Sequence, residues 1–387
     1  MNLKNGLRSF GMITFFFVTG AFFPVLNKII LKAEFAYKYG FTLGFNKPWF
    51  QVFALNFGMI FYGIPFLIHF FKRKCNKNVA MPKLFSWEIF RRCGLPSILY
   101  IVASVLQTYS LLTMPASVWQ IFHGFQVLFT TLFAVTVLKQ RLFLVDWLGV
   151  FMNVLGLCFS GVAALLRGIT KQQEEISEQF FMMILAIVSH GIKSYQTVME
   201  EKILKETKIS SSNLTAYEGL WGLFTLVFIC WPIIMILPPN SRLSENIPEA
   251  FIQFYYSKAL ALLFFFYIII VVLFTYAGNL ITQYNTAIRR NMYETIRPLF
   301  VWILSVSATK LLKKYQLNLN EDLDSFTFIE LTGFLISIVG SLIYNRVWRC
   351  GCFIYAEEEA ELLEANEVSQ SLLNMSGDVS RPPAPVH

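Results

Sequence analysis

Apolar residues in this chain gather into long runs separated by short polar turns, with neither the two-residue alternation of strands nor the one-sided stripe of surface helices. A helix needs about 20 mostly apolar residues to cross the hydrocarbon core of a bilayer. Ten segments meet that length: residues 9–30, 48–71, 94–113, 115–138, 142–166, 179–201, 214–237, 257–282, 288–312 and 326–347. The turns Thr113-Met114-Pro115 and Lys139-Gln140-Arg141 are so short that the helices they join must run antiparallel. The pattern predicts an all-α, polytopic membrane protein with ten transmembrane helices and the lipid bilayer as its solvent. The first run lacks a small-residue cleavage site and reads as a retained span.

An internal repeat runs through the same segments. Ala116 to Lys139 lies over Ala287 to Lys310, so that Leu128-Phe129 meets Leu299-Phe300 and Lys139 meets Lys310. Further on, Gly149 and Gly156 match Gly333 and Gly340, and glycines two turns apart let helix backbones approach closely in lipid. Thr108-Tyr109 likewise parallels Thr275-Tyr276. Five spans is an odd number, so the second copy enters the membrane from the opposite face. The expectation is two inverted five-helix repeats, residues 1–168 and 169–347, with a solute site at their interface near midplane. Residues 348–387 turn acidic and polar and read as a disordered cytosolic tail.

Composition agrees. Of the residues, 56% are hydrophobic and 14% charged, with 40 phenylalanines, whereas soluble domains carry about a quarter charged residues. The net charge of +8 does not form a phosphate-binding stripe; it sits in loops such as Lys72-Arg73-Lys74, Lys77, Lys83, Arg91 and Arg92, which argues against nucleic acid and for both termini in the cytosol. The N-x-S/T matches at Asn213 and Asn374 then face the cytosol and stay unglycosylated. Six cysteines are scattered without a zinc-type pair; Cys350 and Cys352, just past the last span, are either palmitoylation sites or ordinary thiols. No HExxH, GxSxG or Gly-rich phosphate loop is present, so no enzyme, metal or cofactor is expected.

Charged and amide groups inside spans are expensive and need a partner or a task. Arg290, Glu294 and Arg297 occupy one face of the ninth span, with Asn291 beside them, and Pro298 weakens the helix at Arg297. That arrangement suits an anionic ligand or a moving gate. The competing interpretation is a structural staple, in which Glu294 neutralises one arginine and leaves the other without an acidic partner on the helix. The repeat sets Gln120 opposite Asn291 and His123 opposite Glu294. Histidine titrates near neutrality, so His123 is a candidate for proton coupling or else an ordinary buried hydrogen-bonding group. His190, Lys193, Ser194 and Gln196 interrupt the sixth span, which ends at Glu200-Glu201-Lys202, a group that reads as the cytosolic helix end. Thr19, Asn27, Gln107, Tyr109, Tyr217, Glu218, Tyr276 and Asn279 add polar positions elsewhere. The candidate substrate-binding set is Gln120, His123, Lys193, Tyr276, Asn279, Asn291, Glu294 and Arg297, suited to a small molecule with a planar ring and an anionic group. In the tail, Glu358 with Leu362-Leu363 reads as an acidic dileucine signal offered to a clathrin adaptor.

Several stretches resemble a known family. Ser117-Val-Trp-Gln120-Ile-Phe-His123-Gly124, running on to Lys139-Gln-Arg141-Leu and Trp147-Leu-Gly149, is similar to the drug/metabolite transporter superfamily, and most to the F branch of solute carrier family 35. Gln196-Thr-Val-Met-Glu200-Glu201-Lys202, Glu218-Gly219-Leu-Trp-Gly222 and Phe274-Thr-Tyr-Ala277-Gly278 resemble the same branch, as does the acidic tail. The resemblance implies ten spans in two inverted repeats, nucleotide-sugar-transporter-like, on endolysosomal or Golgi-type membranes. It also brings in neighbours that export amines and peptides from acidic vacuoles. Two positions depart: His123 stands where the branch tends to have arginine, and Met59 where it tends to have glutamate. Losing a permanent cation weakens the case for a phosphate-bearing substrate. The expected function is therefore secondary transport of a small organic solute across an endomembrane by alternating access. The alternatives are a proton-coupled exporter of organic cations or peptides from acidic organelles, and a non-transporting scaffold or receptor.

Overall fold

The computed structural model describes residues 3–36, 41–64, 86–113, 119, 122–171, 176–238, 244–312 and 326–348. Gln120, the tail signal Glu358, Leu362 and Leu363, and Cys350, Cys352 and Asn374 lie outside the described residues.

The described chain is helical apart from one small hairpin. Helix α1 (Leu3–Lys32) leads into strands β1 (Glu34–Ala36) and β2 (Thr42–Gly44), paired antiparallel. Then follow α2 (Pro48–Ile60), α3 (Trp87–Arg92), α4 (Gly94–Thr113), α5 (His123–Val137), α6 (Leu144–Lys171) and α7 (Ile176–Thr207). The second half holds α8 (Ser211–Thr225), α9 (Trp231–Ile236), α10 (Ile247–Tyr256), α11 (Lys258–Tyr284), α12 (Ala287–Glu294), α13 (Arg297–Leu312) and α14 (Thr327–Tyr344). Among the described residues, six stretches are long and apolar enough to cross a membrane: Ile13–Lys32, Trp87–Leu112, Leu144–Ala163, Ser211–Ile236, Lys258–Tyr284 and Thr327–Tyr344. Phe228, Ile236, Leu262, Phe265 and Phe328 stand exposed on such stretches, as side chains facing lipid tails do. This is a multi-pass membrane protein.

Two breaks in the helices have local causes. Between α8 and α9, a π-turn at Leu226–Cys230 absorbs the missing donor and the ring of Pro232. Between α12 and α13, the helix stops at Glu294, turns through Thr295-Ile296 and restarts at Arg297, with Pro298 in the new first turn, where its absent N–H is no loss. The sequence expectation of one continuous span over 288–312 is corrected in that respect. Three elements were not foreseen: the β1–β2 hairpin, α3 and α10.

Helices α6 and α14 pack backbone to backbone. A Cβ on Gly156 would fall 2.5 Å from the Gly333 carbonyl oxygen, and one on Gly333 equally 2.5 Å from the Gly156 carbonyl oxygen. Gly149 and Gly340 stand in the same reciprocal relation, at 2.9 and 2.7 Å. Between the two glycine pairs, Asn153 Nδ2 donates to Thr295 Oγ1 at 3.0 Å and ties this seam to the break before α13.

Candidate functional site

A cavity of about 70 Å³ lies among α1, α4, α5, α7, α11, α12 and the start of α13. Its walls include Phe23, Asn27, Tyr100, Gln107, Trp119, His123, Gln126, Lys193, Glu200, Tyr267, Phe274, Arg290, Glu294 and Arg297.

The two arginines depend on local geometry. Thr286 Oγ1 accepts from the Arg289 N–H at 3.2 Å, and Glu201 Oε2 accepts from the Ala287 N–H at 2.8 Å, together capping the first turn of α12. From that fixed start Arg290 points inward, buried, past Gly278, where a Cβ would lie 2.8 Å from its Nε. Arg297 passes Gly20 of α1 in the same way, at 2.8 Å from its Cδ, and its guanidinium sits 5.0 Å from the Phe274 ring centroid. A side chain at either place would push the arginine from this path.

Charge runs through the cavity as a network. Arg290 Nη1 donates to Glu200 Oε2 at 3.1 Å and to Asn279 Oδ1 at 3.0 Å, while its Nε lies 3.5 Å from Glu294 Oε1. Arg297 Nη2 is 3.8 Å from Glu294 Oε2. Glu294 thus lies between both arginines, and α7 supplies the further carboxylate that the helix itself lacks. Lys193 Nζ donates to Gln196 Oε1 at 2.8 Å and sits 3.9 Å from the Tyr100 ring centroid. Gln196 in turn donates to Glu200. Buried charges at this density are tolerable because each carboxylate of Glu200 and Glu294 has a guanidinium beside it.

A second cluster adjoins the first. The His123 and His190 rings stand 4.4 Å apart, and Trp119 lies 4.8 Å from His123. His190 Nδ1 lies 3.3 Å from both Gln107 Nε2 and Gln126 Oε1.

Of the candidate residues, His123, Lys193, Glu294 and Arg297 line the cavity. Asn279 sits behind Arg290, holding it from one side and Thr215 Oγ1 from the other at 2.7 Å. Asn291 fastens α12 to α5: its Nδ2 donates to Thr130 Oγ1 at 2.6 Å and its Oδ1 accepts from Gln126 at 3.0 Å. Tyr276 is not on the cavity wall; its ring stacks on Tyr62 at 5.0 Å. Arg290, Glu200, Tyr100, Trp119 and Gln126 line the cavity without having been in that set. Glu200 was legible as the third member of a face begun by Lys193 and Gln196, one and two turns on. The Glu200-Glu201-Lys202 group, expected as a helix end, divides instead: Glu200 faces the cavity and Glu201 caps α12.

A nucleotide-sugar transporter family model matches residues 59–313. Solute carrier family 35 member F6 of Homo sapiens is 26% identical over 260 residues, covering 66% of this chain and 66% of that protein; the match thus spans just under two thirds of the relative's length. An uncharacterised protein of Schizosaccharomyces pombe is 24% identical over 258 residues, 66% of this chain and 74% of its own. The UDP-N-acetylglucosamine transporter of Rattus norvegicus is 25% identical over 136 residues, 34% of this chain and 42% of its own. With its family model matched across the segments that carry the ion network, the chain belongs to the nucleotide-sugar transporter family, a family of transporters rather than enzymes.

Proposed function

We propose that this protein is a secondary transporter that moves a small organic solute, nucleotide-sugar-like in class, across an endomembrane by alternating access. The observation that carries the reading is the buried ion network of Arg290, Glu294, Arg297, Glu200 and Lys193 around a cavity between the helices. Charges in a membrane interior mark solute pathways unless they serve only as staples. Here they converge on one space together with Phe23, Tyr100, Trp119, Tyr267 and Phe274, which offer stacking faces for a planar ring. The name of the rat relative, a UDP-N-acetylglucosamine transporter, supports that class.

The volume bears on mechanism. Pockets for drug-sized ligands run about 300–1,000 Å³, so a solute of that size needs more room than the about 70 Å³ of this cavity. Solute entry then requires the halves to separate on one face. The pattern of helix contacts supports ten spans in two inverted repeats, 1–168 and 169–347. Helix α1 packs on α11 as α7 packs on α4, α11 on α2 as α4 on α8, and α1 on α13 as α7 on α5. Further large pairings, α2 with α8, α5 with α12 and α6 with α14, join repeat counterparts to each other. Such a set is what a two-fold relation between the halves would produce, as in inverted-repeat transporters. Both termini are assigned to the cytosol of an endolysosomal or Golgi-type membrane, with Glu358, Leu362 and Leu363 as a sorting signal for a clathrin adaptor.

A second reading, proton-coupled export of organic cations or peptides, draws on the His123–His190 ring pair at the cavity edge. A thermal-shift screen of the purified protein against nucleotide sugars, nucleotides, amines and short peptides separates the two, because a ligand stabilises only the state that binds it. Stabilisation by nucleotide sugars supports the first reading. Stabilisation confined to amines or peptides transfers support to the second.

A further inference from the structure

Two buried side chains, Lys28 on α1 and Glu201 on α7, each tie a helix end beside the cavity. Lys28 Nζ donates to the Leu111 carbonyl and, at 3.1 Å, to the Leu112 carbonyl, in the last turn of α4. In a continuing helix the Leu111 carbonyl takes the N–H of residue 115, and Pro115 has none. Lys28 supplies the missing donor, and the negative end of the helix dipole favours its charge. Glu201 does the converse. Its Oε2 accepts from the Ala287 N–H at 2.8 Å, at the positive end of α12, and its Oε1 accepts from Gln140 Nε2 at 2.7 Å.

The ties lie toward opposite faces of the membrane. Phe16 stacks on Phe274 at 4.9 Å and packs with Ala277 and Ile281, whereas the Phe23 ring lies 5.9 Å from that of Tyr267. Residue numbers thus rise along α1 as they fall along α11, which puts the start of α12 at the opposite end of the bundle from Lys28. Both ties adjoin the cavity. Asn27 and Glu200, the residues just before Lys28 and Glu201, are on its wall, as are Thr108 of α4 and Arg290 of α12. The sequence match of Ala116–Lys139 with Ala287–Lys310 makes the α4–α5 and α11–α12 junctions correspond.

A buried ammonium or carboxylate gives up its partners only where water replaces them. We propose that Lys28 and Glu201 are paired positioning residues that latch the cavity shut, one toward each face, and that opening on either face releases the tie on that side alone. Water reaches a tie only when its own face opens, so one latch holds while the other is released. This inference rests on the transporter reading for its place in the cycle, but the latches are detectable without transport.

The test is labelling of Ser104→Cys, on the cavity wall of α4, by a membrane-impermeant thiol reagent applied to either side of sealed vesicles that hold the full chain in known orientation. Labelling is read on the peptide that carries residue 104, which separates it from the native cysteines. Lys28→Met is expected to raise labelling several-fold from the face on which α1 ends and to leave it unchanged from the other. Lys28→Arg, which keeps a cationic donor, should stay at the parent level. Glu201→Ala is expected to raise labelling from the opposite face only. A general loosening of the fold would raise it from both faces alike. That outcome, no gain in either variant, a gain on the wrong face, or a Lys28→Met or Glu201→Ala protein that no longer folds would each overturn the proposal. Since no solute is added, failure here leaves the transporter reading standing. Sided labelling in a protein that exchanges no solute removes the transporter reading alone.

Discussion

Arg290 and Glu200, on α12 and α7, meet through Nη1 and Oε2 at 3.1 Å with both side chains buried. The contact links the element broken before Pro298 to the helix that carries Lys193, so α12 cannot move away from α7 without exposing a carboxylate. Removing one partner of a buried pair costs about 3–5 kcal/mol, because the other charge stays behind without compensation. Arg290→Ala is therefore expected to lower stability by about that amount, measured by thermal or denaturant unfolding in detergent. Combining it with Glu200→Gln should recover part of the loss, since the stranded charge is then gone. A double variant no better than the single one would mean that the pair is not coupled.

The glycine seam makes a sharper packing prediction. At Gly156 and Gly333 the obstacle to a side chain is the facing helix backbone, which cannot step aside as a flexible side chain does. Overpacking costs roughly 1–3 kcal/mol even where neighbours adjust, so Gly156→Leu should abolish the monodisperse folded peak in size-exclusion chromatography. Gly161 lies on the same helix with open space around its Cα, and Gly161→Leu should leave that peak intact.

The close seam between α6 and α14 was partly legible in these same residues: glycines two turns apart on each helix predict close backbone approach, and the structure sets Gly149 against Gly340 and Gly156 against Gly333. Helix ends at Gly94, Thr113 and Pro48 also followed from composition. The β1–β2 hairpin and α10 did not, being short and held by long-range contacts: Gln253 Nε2 donates to the Leu43 carbonyl at 2.7 Å, across most of the chain. In the site, Glu294 and Arg297 stood out because charge in an apolar run is conspicuous. Which polar side chains face the cavity depends on helix rotation, and so Tyr276 stacks on Tyr62 and Asn291 bonds to α5 instead.

Outside the spans, Glu245 offers a pH-dependent contact. Its carboxylate accepts from the N–H groups of Trp49 at 2.9 Å and Phe50 at 3.0 Å, capping α2, with the Lys47–Glu249 pair at 2.6 Å nearby. Burial pushes this carboxyl up to about 7, outweighing the two backbone bonds and Lys47, which pull it down. A raised carboxyl pKa contributes stability that is present below the unfolded value and is lost as pH rises through the folded value. The stability of wild type relative to Glu245→Ala is thus expected to be greatest near about pH 4–5 and to fall through about pH 7, read as the difference in unfolding temperature across a pH series. A difference that grows with pH would reverse the assignment.

The most direct measurement is counterflow of radiolabelled UDP-N-acetylglucosamine into preloaded proteoliposomes, comparing wild type with Glu294→Ala, Arg297→Ala and, away from the cavity, Glu249→Ala. If the charged cavity is the solute site, wild type and Glu249→Ala exchange label, whereas Glu294→Ala and Arg297→Ala lose exchange while remaining folded. Folded Glu294→Ala and Arg297→Ala proteins that exchange at the wild-type rate would contradict it.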